Sequence, residues 1–269
     1  MTTVFTIASG KGGTGKTTVT ANLGSMLAYH KKRTYIIDAD MGMANLGLIL
    51  GLDGMPVTLH DVLAGEASVK EAAYPGPFGV TVVPSGLSLE GFKNSDPERL
   101  RDVMSELIGE CDILIIDAPA GINHDGIVPL AIADEVILVV NPDLSSIVDA
   151  LKTKMLTEFI GGKVRGAIIN RVTSVDDTIT KDQIENMLSV PIIGMIPEDV
   201  NVRRASANRM PVVAKYPTSE ASRAFRRISS SLTGVHYPED DKMENNTGKK
   251  EGFIDRLARA LFPGGKDVN

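Results

Sequence analysis

Val4-Phe5-Thr6-Ile7-Ala8-Ser9-Gly10-Lys11-Gly12-Gly13-Thr14-Gly15-Lys16-Thr17 opens the chain almost at once. An apolar, β-branched run comes first, then a glycine-rich loop closed by a lysine–threonine pair, then a stretch with helical character, Lys16–His30. Strand, loop and helix in that order fit G-x-x-x-x-G-K-[ST] in the context the motif needs. The glycines let backbone N–H groups converge on phosphate oxygens, and the helix N-terminus adds a favourable dipole. Lys16 is expected to neutralise the β- and γ-phosphates, and the Thr17 hydroxyl to ligate Mg²⁺. The bland alternative is a glycine-rich turn with a chance lysine; the ordered strand and helix around it argue for a phosphate loop.

Beyond this loop, short β-branched runs alternate with longer segments of helical pattern, as in βαβ units with a parallel sheet. The strands expected are Val4–Ser9, Thr34–Asp38, Val80–Pro84, Ile113–Asp117, Val136–Asn141, Val164–Asn170 and Pro191–Ile196. Several are apolar throughout, which suits a sheet covered by helices on both faces. The helices expected are Lys16–His30, Pro97–Gly109, Ser145–Ile160, Thr180–Leu188 and Ser219–Leu232, and Ser95-Asp96-Pro97-Glu98 has the residues of a helix start. The chain has 269 residues, enough for one sizeable core, with 43% hydrophobic and 23% charged residues. A single cysteine, Cys111, excludes an internal disulfide framework and a Cys-based metal site. No apolar run approaches the ~20 residues of a spanning helix, and no basic lead precedes the first strand. The expectation is an intracellular protein.

Three further strand ends carry chemistry. Ile113-Leu114-Ile115-Ile116-Asp117 finishes an apolar run on a carboxylate, where a Mg²⁺-holding aspartate belongs; an aspartate there otherwise forms a turn or caps a helix. Ile36-Ile37-Asp38-Ala39-Asp40 offers two more carboxylates. They point to opposite sides if the strand continues, and a turn after Asp38 lets both approach a γ-phosphate. Ile169-Asn170-Arg171 and Ile196-Pro197-Glu198-Asp199 end later strands and open onto the crevice where such sheets bind nucleotides.

The packed domain is expected over residues 1–235, followed by a polar linker at 236–250 and a distinct tail at 251–269. In Glu251-Gly252-Phe253-Ile254-Asp255-Arg256-Leu257-Ala258-Arg259-Ala260-Leu261-Phe262, a helical projection places Phe253, Ile254, Leu257, Leu261 and Phe262 on one arc, with Arg256 and Arg259 on the other. That pattern suits an interfacial helix about 18 Å long, which basic flanks hold to anionic headgroups. The other reading is a helix docked on its own core. Net charge is −6, yet Arg203–Arg227 holds seven basic residues and one acid. This run is a solvated face or a patch for nucleic-acid phosphates.

Lys11, a second lysine inside the loop, is the residue an ordinary phosphate loop does not need. Lys11-Gly12-Gly13-Thr14-Gly15-Lys16-Thr17 resembles the deviant Walker A ATPases residue for residue, and Asp117-Ala118-Pro119-Ala120-Gly121, with the run from Asp38 to Leu46, is similar to the MinD-type members. The resemblance implies an α/β fold, a three-layer α/β/α P-loop NTPase with a mostly parallel central sheet. It implies ATP and Mg²⁺ as cofactors, held by Gly10, Lys11, Gly12, Gly13, Thr14, Gly15, Lys16, Thr17 and Thr18. Thr17, Asp38 and Asp117 attend the metal, and Asp40, Lys11 and Lys16 carry catalysis. Lys11 reaches the nucleotide of a partner copy in an ATP-dependent homodimer. Asn170 reads the edge of the adenine, which Pro197, Glu198 and Asp199 frame. The tail is also similar to the MinD membrane-targeting tail, although Asp255 places an acid where a basic residue is expected. The function implied is an ATP-hydrolysing spatial regulator, peripheral on the inner face of the cell membrane, with a regulatory or activator protein as partner. The alternative is a ParA-like partition ATPase that binds DNA non-specifically in its ATP state. Cysteine-ligated cluster carriers do not fit a chain with Cys111 alone, nor do tyrosine kinases with a terminal tyrosine cluster fit a chain with Tyr237 alone near the end. A metabolic ligase needs a carboxylate-substrate pocket that the sequence does not display.

Overall fold

The computed structural model describes residues 2–86, 88–121, 124–173 and 179–234. The linker and tail expected at 236–250 and 251–269, with Phe253, Ile254, Leu257, Leu261 and Phe262, lie outside the described residues. One compact unit spans Met1–Leu232.

Its elements run β1 (Thr3–Ala8), α1 (Lys16–Tyr29), β2 (Thr34–Asp38), α2 (Leu46–Leu50), α3 (Leu59–Ala64), β3 (Tyr74–Pro75), β4 (Thr81–Val83), α4 (Leu89–Asn94), α5 (Leu100–Leu107), β5 (Ile113–Asp117) and α6 (His124–Ile132). There follow β6 (Glu135–Val140), α7 (Leu144–Phe159), β7 (Val164–Val172), α8 (Lys181–Leu188), β8 (Ile192–Pro197), α9 (Val200–Ala207), α10 (Val212–Lys215) and α11 (Glu220–Thr233). The eight strands form one sheet in the order β3-β4-β2-β5-β1-β6-β7-β8. All neighbours are parallel except β3 against β4. From β1 the chain works outward on one side through β2 and β4, and later on the other through β6, β7 and β8. The loop after β1 therefore sits at the reversal, where open α/β sheets bind ligands beyond the strands' carboxyl ends.

Strand parity sorts the core. Ile36, Ile113, Ile115, Ile137 and Ile168 pack with Val19, Leu23 and Leu27 of α1 and with Phe225 and Ile228 of α11. Their neighbours in sequence, Ile37, Leu114, Ile116, Leu138 and Ile169, pack on the opposite face. Side chains alternate along a strand, so Asp38, Asp117 and Asn170 share α1's side with Ile36, Ile115 and Ile168. That parity aims three polar strand-end residues at the loop opening α1.

All seven expected strands occur within two residues of their expected bounds. Pro97–Arg99 forms a 3₁₀ turn leading into α5, with Asp96 Oδ1 accepting the Glu98 N–H at 3.0 Å. The short elements β3, α2, α9 and α10 give no usable periodicity. The helix α3 had a local signal, since Asp61 reaches back to the Thr58 N–H at 2.7 Å as in a capping box.

Candidate functional site

Between β1 and α1 the chain is bent by glycine. Gly15 has φ +91°, a left-handed conformation, and a Cβ there would stand 2.3 Å from Asn170 Nδ2. Gly10 lies flat against α7, where a Cβ would come within 2.1 Å of the Asp149 backbone. The loop walls a cavity of about 510 Å³, lined by Lys11 through Thr18 and closed by Asp40, Met43 and Arg171. Among the residues expected at the phosphates, Lys11, Gly12, Gly13, Thr14, Gly15, Lys16, Thr17 and Thr18 are brought together here, while Gly10 serves the packing behind them.

Lys16 is almost wholly buried, and its Nζ lies 2.9 Å from Oδ1 of fully buried Asp117. Thr20 Oγ1, one helical turn beyond Lys16, donates to the same carboxylate oxygen at 2.8 Å. The second oxygen, Asp117 Oδ2, is buried with no hydrogen-bond partner. Beside it in register across β2 and β5 stands Asp38. Its Oδ1 accepts the Asp40 N–H and its Oδ2 the Leu46 N–H, both at 3.2 Å. Burial first, and then the Asp117 charge, push the Asp38 carboxyl well above the usual range, with Lys16 acting against them. The strand ends at Asp38, so the chain turns and Asp40 enters the cavity instead of pointing away. Asp40 Oδ1 accepts the Met43 N–H at 3.1 Å, and burial raises its carboxyl, making it a better proton acceptor.

These groups fit Mg²⁺. Among the described residues no group of three or more His, Cys, Asp or Glu can hold a metal by itself. Mg²⁺ is ordinarily bound by one or two protein oxygens, with substrate phosphates and waters supplying the rest. The unpartnered Asp117 Oδ2 and the Thr17 hydroxyl would serve as donors; Asp38 stands beside Asp117 in register, and both its oxygens accept backbone N–H groups.

Lys11 lies at the cavity rim with its side chain about a third exposed, and its Nζ is 3.0 Å from Asp143 of its own chain. Asp143 also caps α7 by accepting the Ser146 N–H at 2.8 Å. Burial works against its ionisation, yet that bond and Lys11 hold the carboxyl below its usual range.

Where the base is expected, a second cavity of about 320 Å³ is lined by Asn170, Arg171, Pro197, Glu198, Asp199 and Phe225 among others. It shares Gly15, Thr18, Arg171 and Ser206 with the first, so the two chambers adjoin. Asp199, which the resemblance has framing the adenine, lines this cavity and also holds the backbone around it. Its oxygens accept the Asn201 N–H at 2.8 Å and the Ala221 N–H at 3.2 Å, tying α9 to α11. Asn170 donates one of its two amide N–H groups to the Thr14 carbonyl at 2.8 Å. Thr20 and Asp143 are functional neighbours that the sequence reading missed. Thr20 had a signal, since i+4 from Lys16 shares its helix face; Asp143, 132 residues from Lys11, had none. The basic run is dispersed over α9, α10, α11 and a loop, and Arg209 pairs with Asp53 at 2.9 Å.

A glycine loop at the sheet's reversal, a buried lysine on a strand-end aspartate and a two-chamber cleft define a P-loop nucleotide-binding protein. The chain belongs to the CobQ/CobB/MinD/ParA nucleotide binding domain family, which matches residues 5–212. It is 47% identical over 262 residues to an uncharacterized ATP-binding protein of Methanocaldococcus jannaschii, covering 97% of each chain. It is similar to the cell division ATPase MinD of Pyrococcus furiosus, at TM-score 0.84 and 37% identity over 88% of this chain and 100% of that one. It is similar also to the septum site-determining protein MinD of Pyrococcus horikoshii, a complex with Mg-ADP, at TM-score 0.83 and 35% identity over 93% of this chain and 100% of that one. The chain is therefore a MinD/ParA-family ATPase, with ATP and Mg²⁺ as its cofactors.

Proposed function

We propose that this ATPase is a spatial regulator that pairs with a second copy on binding ATP, attaches to the inner face of the cell membrane and is released on hydrolysis. Lys11 carries the reading. A lysine beyond the motif's needs stands at the rim of the nucleotide cavity, joined to Asp143 by a partly exposed ion pair. Such pairs contribute about 0–1 kcal/mol, so Lys11 is readily released toward a neighbouring copy's phosphates. Membrane attachment rests on the arc Phe253, Ile254, Leu257, Leu261 and Phe262 with its basic flanks. One short helix binds weakly; two on a dimer bind together, which makes attachment depend on nucleotide. The names of the two Pyrococcus proteins, a cell division ATPase and a septum site-determining protein, support placement of the division site or another cellular machine as the output.

In the reaction, Lys16 would leave Asp117 for phosphate charge, and Asp117 and the Thr17 hydroxyl would hold the metal. Mg²⁺, when bound, neutralises charge on the β- and γ-phosphates. Asp38 fixes the Asp40 and Leu46 backbone and so holds the turn that delivers Asp40. Asp40 orients the attacking water and accepts its proton. The test is co-sedimentation with anionic liposomes and with duplex DNA, each with ATP or ADP. ATP-dependent binding to liposomes, lost on removing residues 251–269 while hydrolysis persists, is the expected result. Binding to DNA alone would replace this reading with the partition ATPase. Liposome binding by the truncated chain would overturn the tail assignment.

A further inference from the structure

We infer that Asn170 is a positioning residue for the phosphate loop: it acts on nucleotide affinity by fixing the loop, in addition to anything it does at the base. The inference rests on the ATPase reading of that loop. Asn170 is buried at the end of β7, and strand parity turns it to α1's side of the sheet. Its Nδ2 donates to the Thr14 carbonyl at 2.8 Å across 156 residues. The next residue, Gly15, has no room for a Cβ because Asn170 Nδ2 occupies the place. The strand breaks register just here: Asn170 and Arg171 together oppose Ile196 alone, and Arg171 takes φ +56°. A bulge beside a binding site, with a non-glycine residue in left-handed conformation, is a costly arrangement that the surroundings must impose.

The physical consequence follows from the planar peptide. In a trans amide, C=O and N–H point in opposite directions, so anchoring the Thr14 carbonyl on Asn170 turns the Gly15 N–H the other way. Gly15 walls both chambers and directly precedes α1, whose first N–H groups bind anions. Asn170 thus sets the facing of the loop's backbone donors before any ligand arrives. Without it, the left-handed Gly15 gains freedom that phosphate binding must remove.

The experiment compares ADP, which has a base, with inorganic pyrophosphate, which has none, both with Mg²⁺ and titrated calorimetrically into the full chain and into Asn170→Ala and Asn170→Leu. Both variants remove the donor without adding charge; Asn170→Leu keeps the side chain's bulk and carries the test if Asn170→Ala does not fold, as judged by its urea midpoint. The expected result is that the pyrophosphate dissociation constant rises about tenfold, for a buried hydrogen bond lost, and that of ADP by at least the same factor. Weakened ADP with unchanged pyrophosphate would overturn the inference and return Asn170 to the base alone. No change in either would overturn it as well. A wild-type chain that binds neither probe would instead overturn the ATPase reading, and this inference with it.

Discussion

Two acidic side chains stand at opposite ends of the same parallel sheet, each against cations, and they are bonded very differently. Glu135 begins β6, and both its oxygens are taken, Oε1 by Lys163 at 2.6 Å and Oε2 by Arg165 at 2.7 Å. Asp117 ends β5, and Lys16 and Thr20 crowd onto its Oδ1 while Oδ2 is buried with no partner. Buried polar groups in folded chains are nearly always satisfied, so an unfilled carboxylate oxygen next to the phosphate-loop lysine calls for an explanation, which a ligand at this end supplies. The saturated cluster fastens the bottom of the sheet; the unsaturated one is the working end. An intact ion pair is thus a poor guide to function here, and an incomplete one a good guide.

The largest effect is expected where the unsaturated end is broken outright. Lys16→Ala should lower phosphate release by roughly 10³-fold, since it removes the cation that meets developing phosphate charge. Turnover near the wild-type level would erase the distinction between the two ends. Asp40→Asn sharpens the comparison by testing a carboxylate that touches neither cluster. It should lower kcat by roughly 10²-fold while leaving Mg-ADP affinity within about threefold, because orientation of water is lost and the loop is untouched. A matching fall in ADP affinity would make Asp40 a binding residue. At the saturated end, Glu135→Gln should leave hydrolysis unchanged and lower stability by about 1–2 kcal/mol at pH 7, read by urea unfolding. Burial opposes ionisation of Glu135, yet Lys163 and Arg165 outweigh it and hold the carboxyl below the ordinary 4.5. A depressed folded value gives stability that is complete above pH 4.5 and is lost as pH falls through the lower folded value. The gap between wild type and Glu135→Gln should therefore narrow as pH falls below 4.5; a constant gap would mean that charge is not its source.

The phosphate loop was legible because its signal is local: strand, glycines, lysine and helix lie within one short stretch, and nothing distant is needed to read them. Asp38 and Asp117 were legible as polar punctuation on apolar runs. The partners of these residues were not. That Thr20 shares Asp117 with Lys16 depends on β5 lying beside β1, an outcome of strand order across 97 residues. Asn170 and Asp199 were placed at the correct cleft, yet their bonds go to Thr14 and to the Asn201 and Ala221 amides. A strand end in sequence announces a residue near the ligand; which of its atoms are already engaged is settled only by what packs against it.

The two outermost strands have one more consequence. At one edge β3 is only Tyr74–Pro75, and at the other β8 ends on Pro197 with Pro191 just ahead of it. Proline has no N–H to offer, and a two-residue strand gives a neighbouring chain almost nothing to zip onto. Copies of this chain are thereby discouraged from joining sheet to sheet into ribbons. Crowding on a surface, which the proposed cycle demands, can then concentrate the protein without seeding aggregates through its sheet edges.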